Sequence, residues 1–305
     1  MLFVLRKDLN TRVTKIFTKN TEKKQQLNYI SDFTTCNNLD EAIEQYKQLG
    51  YRLDMIKPAD APNEALMSKA GESLRIVASP KSNVQRPKPD RAKDLGHGTL
   101  DMEPAIDSDW ITGRAGMEYR DLIPDRLGGK VIASHIRLMT GGEVPDYVHY
   151  HKVEFQMIYC KVGRIKVVYE DQGEPFWLET DDCVLQPPEI RHRVLECTAG
   201  AEVIEVSMPA EHETWVEHDI TLPTPDLKPD RDFSGQRFLR HIAADASDPA
   251  KRDLGIAEAT DGRFRTRVHQ IQADEKLPPN RVNRKEIKLY LRLNDVEILA
   301  VDLKA

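Results

Sequence analysis

Residues 142–156 of the chain read GEVPDYVHYHKVEFQ, and about thirty residues later residues 186–192 read QPPEIRH. In a β-strand, side chains at positions i and i+2 point to the same face. His149 and His151 can therefore aim their imidazoles at one point, and a hairpin return would bring His192 alongside. Three imidazoles with a side-chain oxygen make a plausible site for Fe, Mn, Ni, Cu or Zn. This stretch predicts a metal site built on β-strands.

The spacing around these histidines resembles the two motifs of the cupin superfamily. The first motif runs Gly, a short spacer, His-x-His, three or four residues, Glu, six residues, Gly. Here Gln156 stands in the glutamate position by register, and six residues separate it from Gly163. The second motif, Pro-x-Gly-x-x-His, is matched from Pro187 to His192, with Glu189 in place of the turn glycine.

The resemblance covers roughly residues 110–220 and implies a cupin barrel. It also implies that one divalent metal ion is held by His149, His151, Gln156 and His192. Fe or Mn is expected first, and Zn, Ni or Cu second. The resemblance does not name a reaction, because cupins include oxygenases, isomerases, lyases, sensors and storage proteins.

The same part of the chain has the composition of a β protein. Its apolar segments are short, rich in β-branched or aromatic residues, and separated by Gly, Pro and Asp turns. The segments are 131–136, 155–160, 165–169, 176–178 and 202–206. Many short strands without a long amphipathic helix predict a mainly β sandwich or barrel.

Composition excludes several classes of partner. The net charge of the 305-residue chain is −6 with the signs mixed, so no broad basic field attracts nucleic acid. No apolar run approaches the length that spans a membrane. The four cysteines are scattered without a CxxC pair, which favours reduced thiols and makes the cytoplasm the default location.

Two segments rich in Pro and charge, residues 80–90 and 222–230, divide the chain. They predict four parts, which are an N-terminal module (1–79), a linker (80–109), the metal-binding barrel (110–221) and a C-terminal remainder (222–305).

The N-terminal module has a predicted βαβββ order. Strand-like segments at 29–35, 51–56, 64–67 and 73–77 surround one amphipathic helix that begins after the N-cap Asn38. This order resembles half of a vicinal-oxygen-chelate (glyoxalase-like) domain. The first and last strands offer no His or Glu in an obvious ligand position, so we expect a dimerisation or lid module rather than a second metal site.

The C-terminal remainder has strand candidates at 266–271, 287–293 and 296–301 but lacks both histidine motifs. It is similar to the opening strands of a second barrel, as in bicupins, so we expect a degenerate or truncated second cupin without metal. An incomplete barrel and a half-module would both leave strand edges to cover, which favours a homodimer.

Gln156 has chemical consequences. With glutamine and three neutral imidazoles, a divalent ion keeps its full +2 charge and favours an anionic ligand. Glutamine cannot act as a general base, so the candidates for that role are Glu154, Tyr150, His135 and metal-bound hydroxide. His135 and Arg137 share one face of their strand. If that face lines the cavity, Arg137 can clamp a carboxylate; otherwise it is a surface arginine.

Three functions are consistent with these patterns. The first is an Fe(II)- or Mn(II)-dependent oxygenase that acts on a small enolic, phenolic or carboxylate compound. The second is a lyase or isomerase that uses the ion only as a Lewis acid. The third is a non-catalytic module that binds a small molecule. The sequence favours a metal site clearly and favours the oxygenase over the lyase only weakly.

Overall fold

The structure of the protein is a computed structural model that describes residues 33–79, 110–123, 126–282 and 285–304. All described residues belong to one unit of the chain. They are mainly β, as predicted. No helix in the described ranges is long and apolar enough to cross a membrane.

The N-terminal module has the predicted βαβββ order from Phe33 onward, while residues 29–32 of its predicted first strand lie outside the described residues. Helix α1 begins after Asn38, whose side-chain oxygen accepts the Glu41 backbone N–H at 3.2 Å. Strand β1 pairs in parallel with β4, and the other pairings are antiparallel. The elements are β1 Phe33–Cys36, α1 Leu39–Gln48, β2 Arg52–Lys57, β3 Glu64–Lys69 and β4 Glu72–Ala78.

The described residues of the central part form twelve short strands and one short α-helix, α2 Arg126–Gly129. The strands are β5 Ile111–Thr112, β6 Glu118–Asp121, β7 Ile132–Leu138, β8 Gly142–Glu143, β9 His149–His151, β10 Phe155–Val162, β11 Arg164–Tyr169, β12 Phe176–Glu179, β13 Cys183–Leu185, β14 His192–Cys197, β15 Ala201–Met208 and β16 Thr214–Val216.

These strands wrap into a barrel of two facing antiparallel sheets. One sheet contains the order β13-β10-β15-β7, and the other contains β9-β14-β11-β12 with β8 also paired to β14. The chain passes repeatedly from one sheet to the other, which is the double Greek-key winding of a jelly roll. Apolar side chains from both sheets, including Ile136, Ile158, Ile165 and Val167, fill the space between them. The strand order is that of a jelly-roll barrel, so the barrel fold predicted for the central part is confirmed.

The N-terminal sheet continues directly into one barrel sheet. Strand β16 pairs with β9 on one side and with β2 on the other. The Arg126 guanidinium adds a buried link, because it bonds Asp60 of the N-terminal module at 2.8 Å and Asp121 of the barrel at 2.7 Å. The module is therefore fixed to the strand that carries the two histidines.

The C-terminal residues form a further antiparallel sheet in the order β18-β19-β22-β21-β20, and β17 joins the barrel sheet beside β13. The elements are β17 Leu239–His241, β18 Lys251–Asp253, α3 Ile256–Ala259, β19 Phe264–Gln270, β20 Arg281–Val282, β21 Glu286–Asn294 and β22 Glu297–Lys304. This sheet shares one apolar core with the outer face of the barrel, where the rings of Phe155 and Phe264 lie 4.9 Å apart.

Candidate metal centre

The barrel brings three imidazoles together. His149 and His151 alternate with Tyr150 on β9, so they share a face, and His149 lies opposite His192 of β14. Their ligand nitrogens all lie within 4.8 Å of one another, and the three side chains are buried. The ring centroids are 4.2 Å apart for His149 and His192, and about 5 Å apart for the other two pairs.

Each imidazole is anchored by its outer nitrogen. The Nδ1 atom of His149 lies 2.8 Å from the Tyr147 carbonyl, and that of His192 lies 3.0 Å from the Ile190 carbonyl. A carbonyl only accepts, so both Nδ1 atoms carry the proton and both Nε2 atoms present a lone pair. The Nδ1 atom of His151 is held by the Thr214 hydroxyl at 2.9 Å. This is the support that metal-ligating histidines usually have.

The free nitrogens fit a metal ion. The Nε2 atom of His149 is buried and has no hydrogen-bond partner among the described residues. A buried polar atom without a partner is unfavourable, and a bound cation would supply the partner. Burial lowers the pKa of His149 and His151 well below the ordinary value, and it lowers the pKa of His192 to about 4. The imidazoles are thus held in the neutral form that binds metals.

Gln156 lies beside this cluster with its oxygen already hydrogen-bonded. Its Oε1 accepts an N–H from Gln186 at 3.1 Å, whereas its own Nε2 finds no partner in the described part of the chain. Gln186, just after β13, also places its Nε2 3.3 Å from the Nε2 of His192 and accepts the Tyr169 hydroxyl at 2.7 Å. The structure therefore places Gln156 in the barrel interior, and its ligand role stays a prediction.

His135 and Arg137 do share a face of β7, but it is not the cavity face. The interior cavity is lined by the alternate residues Ile136 and Leu138. On the outer face, His135 Nε2 lies 2.8 Å from a Glu202 oxygen, and the Arg137 guanidinium lies 4.0 Å from the Trp110 ring centroid. The idea that this face lines the cavity is wrong, because strand parity turns both side chains outward.

Tyr150 and Glu154 also lie away from the histidine cluster. Tyr150 alternates with the two histidines of β9 and packs its ring under the Arg191 guanidinium, 4.3 Å away. Glu154 is exposed just before β10 and lines a separate surface cavity of about 440 Å³. Neither side chain is positioned to take a proton from a ligand at the histidines.

Several polar residues of the site have no sequence motif. Asp146 accepts the Val194 backbone N–H at 3.0 Å, lies 3.7 Å from His149 Nδ1, and pairs with the largely buried side chain of Arg114. Burial opposes the charge of Arg114, but the combined attraction of Asp146, Tyr119, Tyr147 and Glu205 outweighs it and raises the Arg114 pKa. His212, between β15 and β16, is buried with its ring 5.3 Å from that of His151.

The barrel interior contains a small cavity of about 60 Å³ next to the histidines. That space admits roughly four or five water-sized groups. Apolar side chains line most of it, together with His151, His192, Gln186 and Glu205. The alternation of β15 could have placed Glu205 on the same face as the core residue Val203, but the sequence does not show that this face is the interior one.

No protein-family model matches the sequence, and no curated protein matches it. Among solved structures, the chain is similar to an RmlC-like cupin from Shewanella frigidimarina NCIMB 400 (24% identity, 38% of this chain and 87% of that chain, TM-score 0.26). It is also similar to KdgF from Halomonas sp. (20% identity, 34% and 92%, TM-score 0.28) and to a single-residue variant of oxalate decarboxylase from B. subtilis (12% identity, 70% and 71%, TM-score 0.43). The barrel assignment rests on the strand order described above.

Proposed function

We propose that the protein is a mononuclear metal-binding cupin whose ion is held by His149, His151 and His192, with Gln156 as the fourth donor. One observation carries this proposal. Three buried imidazoles converge within 4.8 Å, and each is anchored through Nδ1, which leaves Nε2 as its metal-binding atom. Nitrogen and amide-oxygen donors suit Fe or Mn, and also Zn, Ni or Cu.

We further propose that the ion is Fe(II) or Mn(II) and that the protein is an oxygenase acting on a small enolic, phenolic or carboxylate compound. An iron or manganese ion would supply redox chemistry with dioxygen and charge stabilisation for an anionic substrate. Four neutral donors leave the charge of the ion uncompensated. The cavity of about 60 Å³ excludes a large ligand, and its apolar walls limit the access of water.

Glu205 favours a second candidate function. It is a carboxylate in the wall of the cavity that also contains His151 and His192, and Ser207 donates a hydrogen bond to it at 2.9 Å. A carboxylate there can remove a proton from a bound substrate. A lyase or isomerase that uses the ion as a Lewis acid is therefore the alternative, and a non-catalytic binding module is the third.

The first test is metal content by plasma mass spectrometry on protein purified without a metal-binding tag. We expect near one Fe or Mn per chain, lost in a His149→Ala/His192→Ala double variant. A His241→Ala/His269→Ala variant, which removes two histidines outside the cluster, is the matched control and should keep the metal.

The outcome decides between the candidates. Iron or manganese with dioxygen consumption on a small enolic or phenolic acid supports the oxygenase, and zinc or nickel at that level supports the lyase or isomerase. No bound metal and no uptake on reconstitution would refute the metal centre and leave the binding module.

The flanking regions carry finer proposals. The βαβββ order with β1 parallel to β4 supports a glyoxalase-like half-module, and the five-stranded C-terminal sheet supports a partial second cupin. The four domain ranges, the homodimer, the small-molecule partner and the cytoplasmic location stay predictions.

A further inference from the structure

We propose that Gln186 is the positioning residue that sets the affinity of this centre, because its amide N–H occupies the lone pair with which His192 would bind the metal. The inference rests on the proposed metal centre. It concerns a residue outside both histidine motifs, and it follows from the hydrogen-bond directions around one buried carboxamide.

Those directions are fixed from both ends. The Ile190 carbonyl holds the proton on His192 Nδ1, so His192 Nε2 can only accept a hydrogen bond. At the other end, the Tyr169 hydroxyl lies 2.7 Å from the Oε1 of Gln186. The Tyr169 hydroxyl is the donor in this bond. With Oε1 held by Tyr169, the NH₂ group of Gln186 must face the opposite way.

The NH₂ group of Gln186 then uses both of its hydrogens inside the site. One reaches the Oε1 of Gln156 at 3.1 Å, and the other reaches His192 Nε2 at 3.3 Å. The amide oxygen of Gln156 has two lone pairs, so it can accept this bond and still contact an ion. The Nε2 atom of a neutral imidazole has only one. Gln186 and a metal ion therefore compete for His192 and not for Gln156.

Competition predicts the direction of the effect. A metal ion that binds His192 must break a buried hydrogen bond and leave one N–H of Gln186 without an acceptor. A buried neutral hydrogen bond is worth about 0.5–1.5 kcal/mol. Removing the competing N–H should raise metal affinity roughly two- to tenfold. A residue whose only role is to support the fold would instead lower the affinity when it is replaced.

The experiment is a titration of the metal-free full chain with Co²⁺, followed by the visible absorption of the bound ion and by stopped-flow binding rates. Gln186→Met removes the amide and keeps the length of the side chain. Tyr169→Phe keeps the amide but releases its orientation, so that Gln186 can turn its oxygen towards the ion. Both variants should bind Co²⁺ more tightly and faster than the native protein.

Gln236→Met is the matched control. Gln236 is also buried and also donates a hydrogen bond, to the Glu154 carbonyl at 2.7 Å, but within the described residues it makes no hydrogen bond to the three histidines. Its Co²⁺ affinity should equal that of the native chain. Circular dichroism on all four proteins checks that each one folds.

Each outcome decides the point. Tighter binding in both variants supports the inference, and so does binding in the variants alone. If the native protein binds Co²⁺ and the variants bind it equally or more weakly, the role of Gln186 is refuted while the metal centre stands. If no protein binds Co²⁺, the metal centre fails and the inference fails with it.

Discussion

Replacing Thr214 with valine tests the metal centre through a residue that would not contact the ion. Thr214 is fully buried on β16, and its hydroxyl lies 2.9 Å from the Nδ1 atom of His151. Valine keeps the volume and the β-branched shape but removes the hydroxyl. The change therefore leaves the packing intact and removes only the hydroxyl that holds the orientation of the His151 ring.

The expected loss of metal affinity is large, because the hydrogen-bond partner of a ligating histidine orients the ring and raises the basicity of its metal-binding nitrogen. Removing such a partner typically lowers metal affinity 10- to 100-fold, which is about 1.4–2.7 kcal/mol of binding free energy. The Nδ1–H of His151 would also be left buried and unpaired in the bound state, which works in the same direction. Thr214→Ser keeps the hydroxyl and should retain most of the affinity.

The assay is competition between the protein and a chromophoric chelator for Zn²⁺ or Co²⁺ at neutral pH. Thr266→Val is the matched control, since Thr266 is equally buried but lies on β19, and its hydroxyl makes no hydrogen bond within the described residues. Its affinity should not change. Native affinity in Thr214→Val would show that His151 needs no anchor, and the metal-binding geometry inferred from the three Nδ1 contacts would then be refuted.

Two further predictions concern stability. Burial lowers the pKa of His135 to about 4 from an ordinary 6.5, so the native state favours neutral His135. The stability of the fold that depends on neutral His135 is present above pH 6.5 and is lost as the pH falls from 6.5 to 4. This difference between the folded and unfolded pKa of His135 corresponds to roughly 3 kcal/mol of unfolding free energy. The unfolding free energies of the native protein and of His135→Gln, measured in urea, should therefore converge by about that amount between pH 7 and pH 4. Parallel pH dependences of the two proteins would contradict the buried, neutral state of His135. Phe264→Ala should cost about 3–5 kcal/mol of unfolding free energy, because Phe264 joins the C-terminal sheet to the barrel. Phe33→Ala at an exposed position is its control, and equal losses in both variants would refute the shared core.

The sequence predicted the barrel strands and the pair of histidines on β9. Both depend on local order, because the alternation of a strand fixes which side chains share a face. The same rule correctly grouped His135 with Arg137. Alternation could not show that this shared face is the outer one, because side chains on both faces of β7 are buried. The outer face is buried because the C-terminal sheet covers that side of the barrel.

The remaining parts of the site come from residues that are distant in sequence. Gln186, Thr214 and Asp146 carry no motif, and each makes a hydrogen bond to a strand that the chain reaches by a different path. Glu154 shows the reverse case, because it is only five residues from His149 yet it faces another cavity.

The sequence alone thus determined that this protein forms a β barrel and that three imidazoles can meet in it. Periodicity and spacing encode these properties within one strand or one hairpin. Only the tertiary structure decided which face is interior, which nitrogen of each imidazole is free, and that Gln186 reaches His192. Those properties depend on how two sheets wrap around each other and on sub-ångström hydrogen-bond geometry, which a linear pattern of residues does not contain.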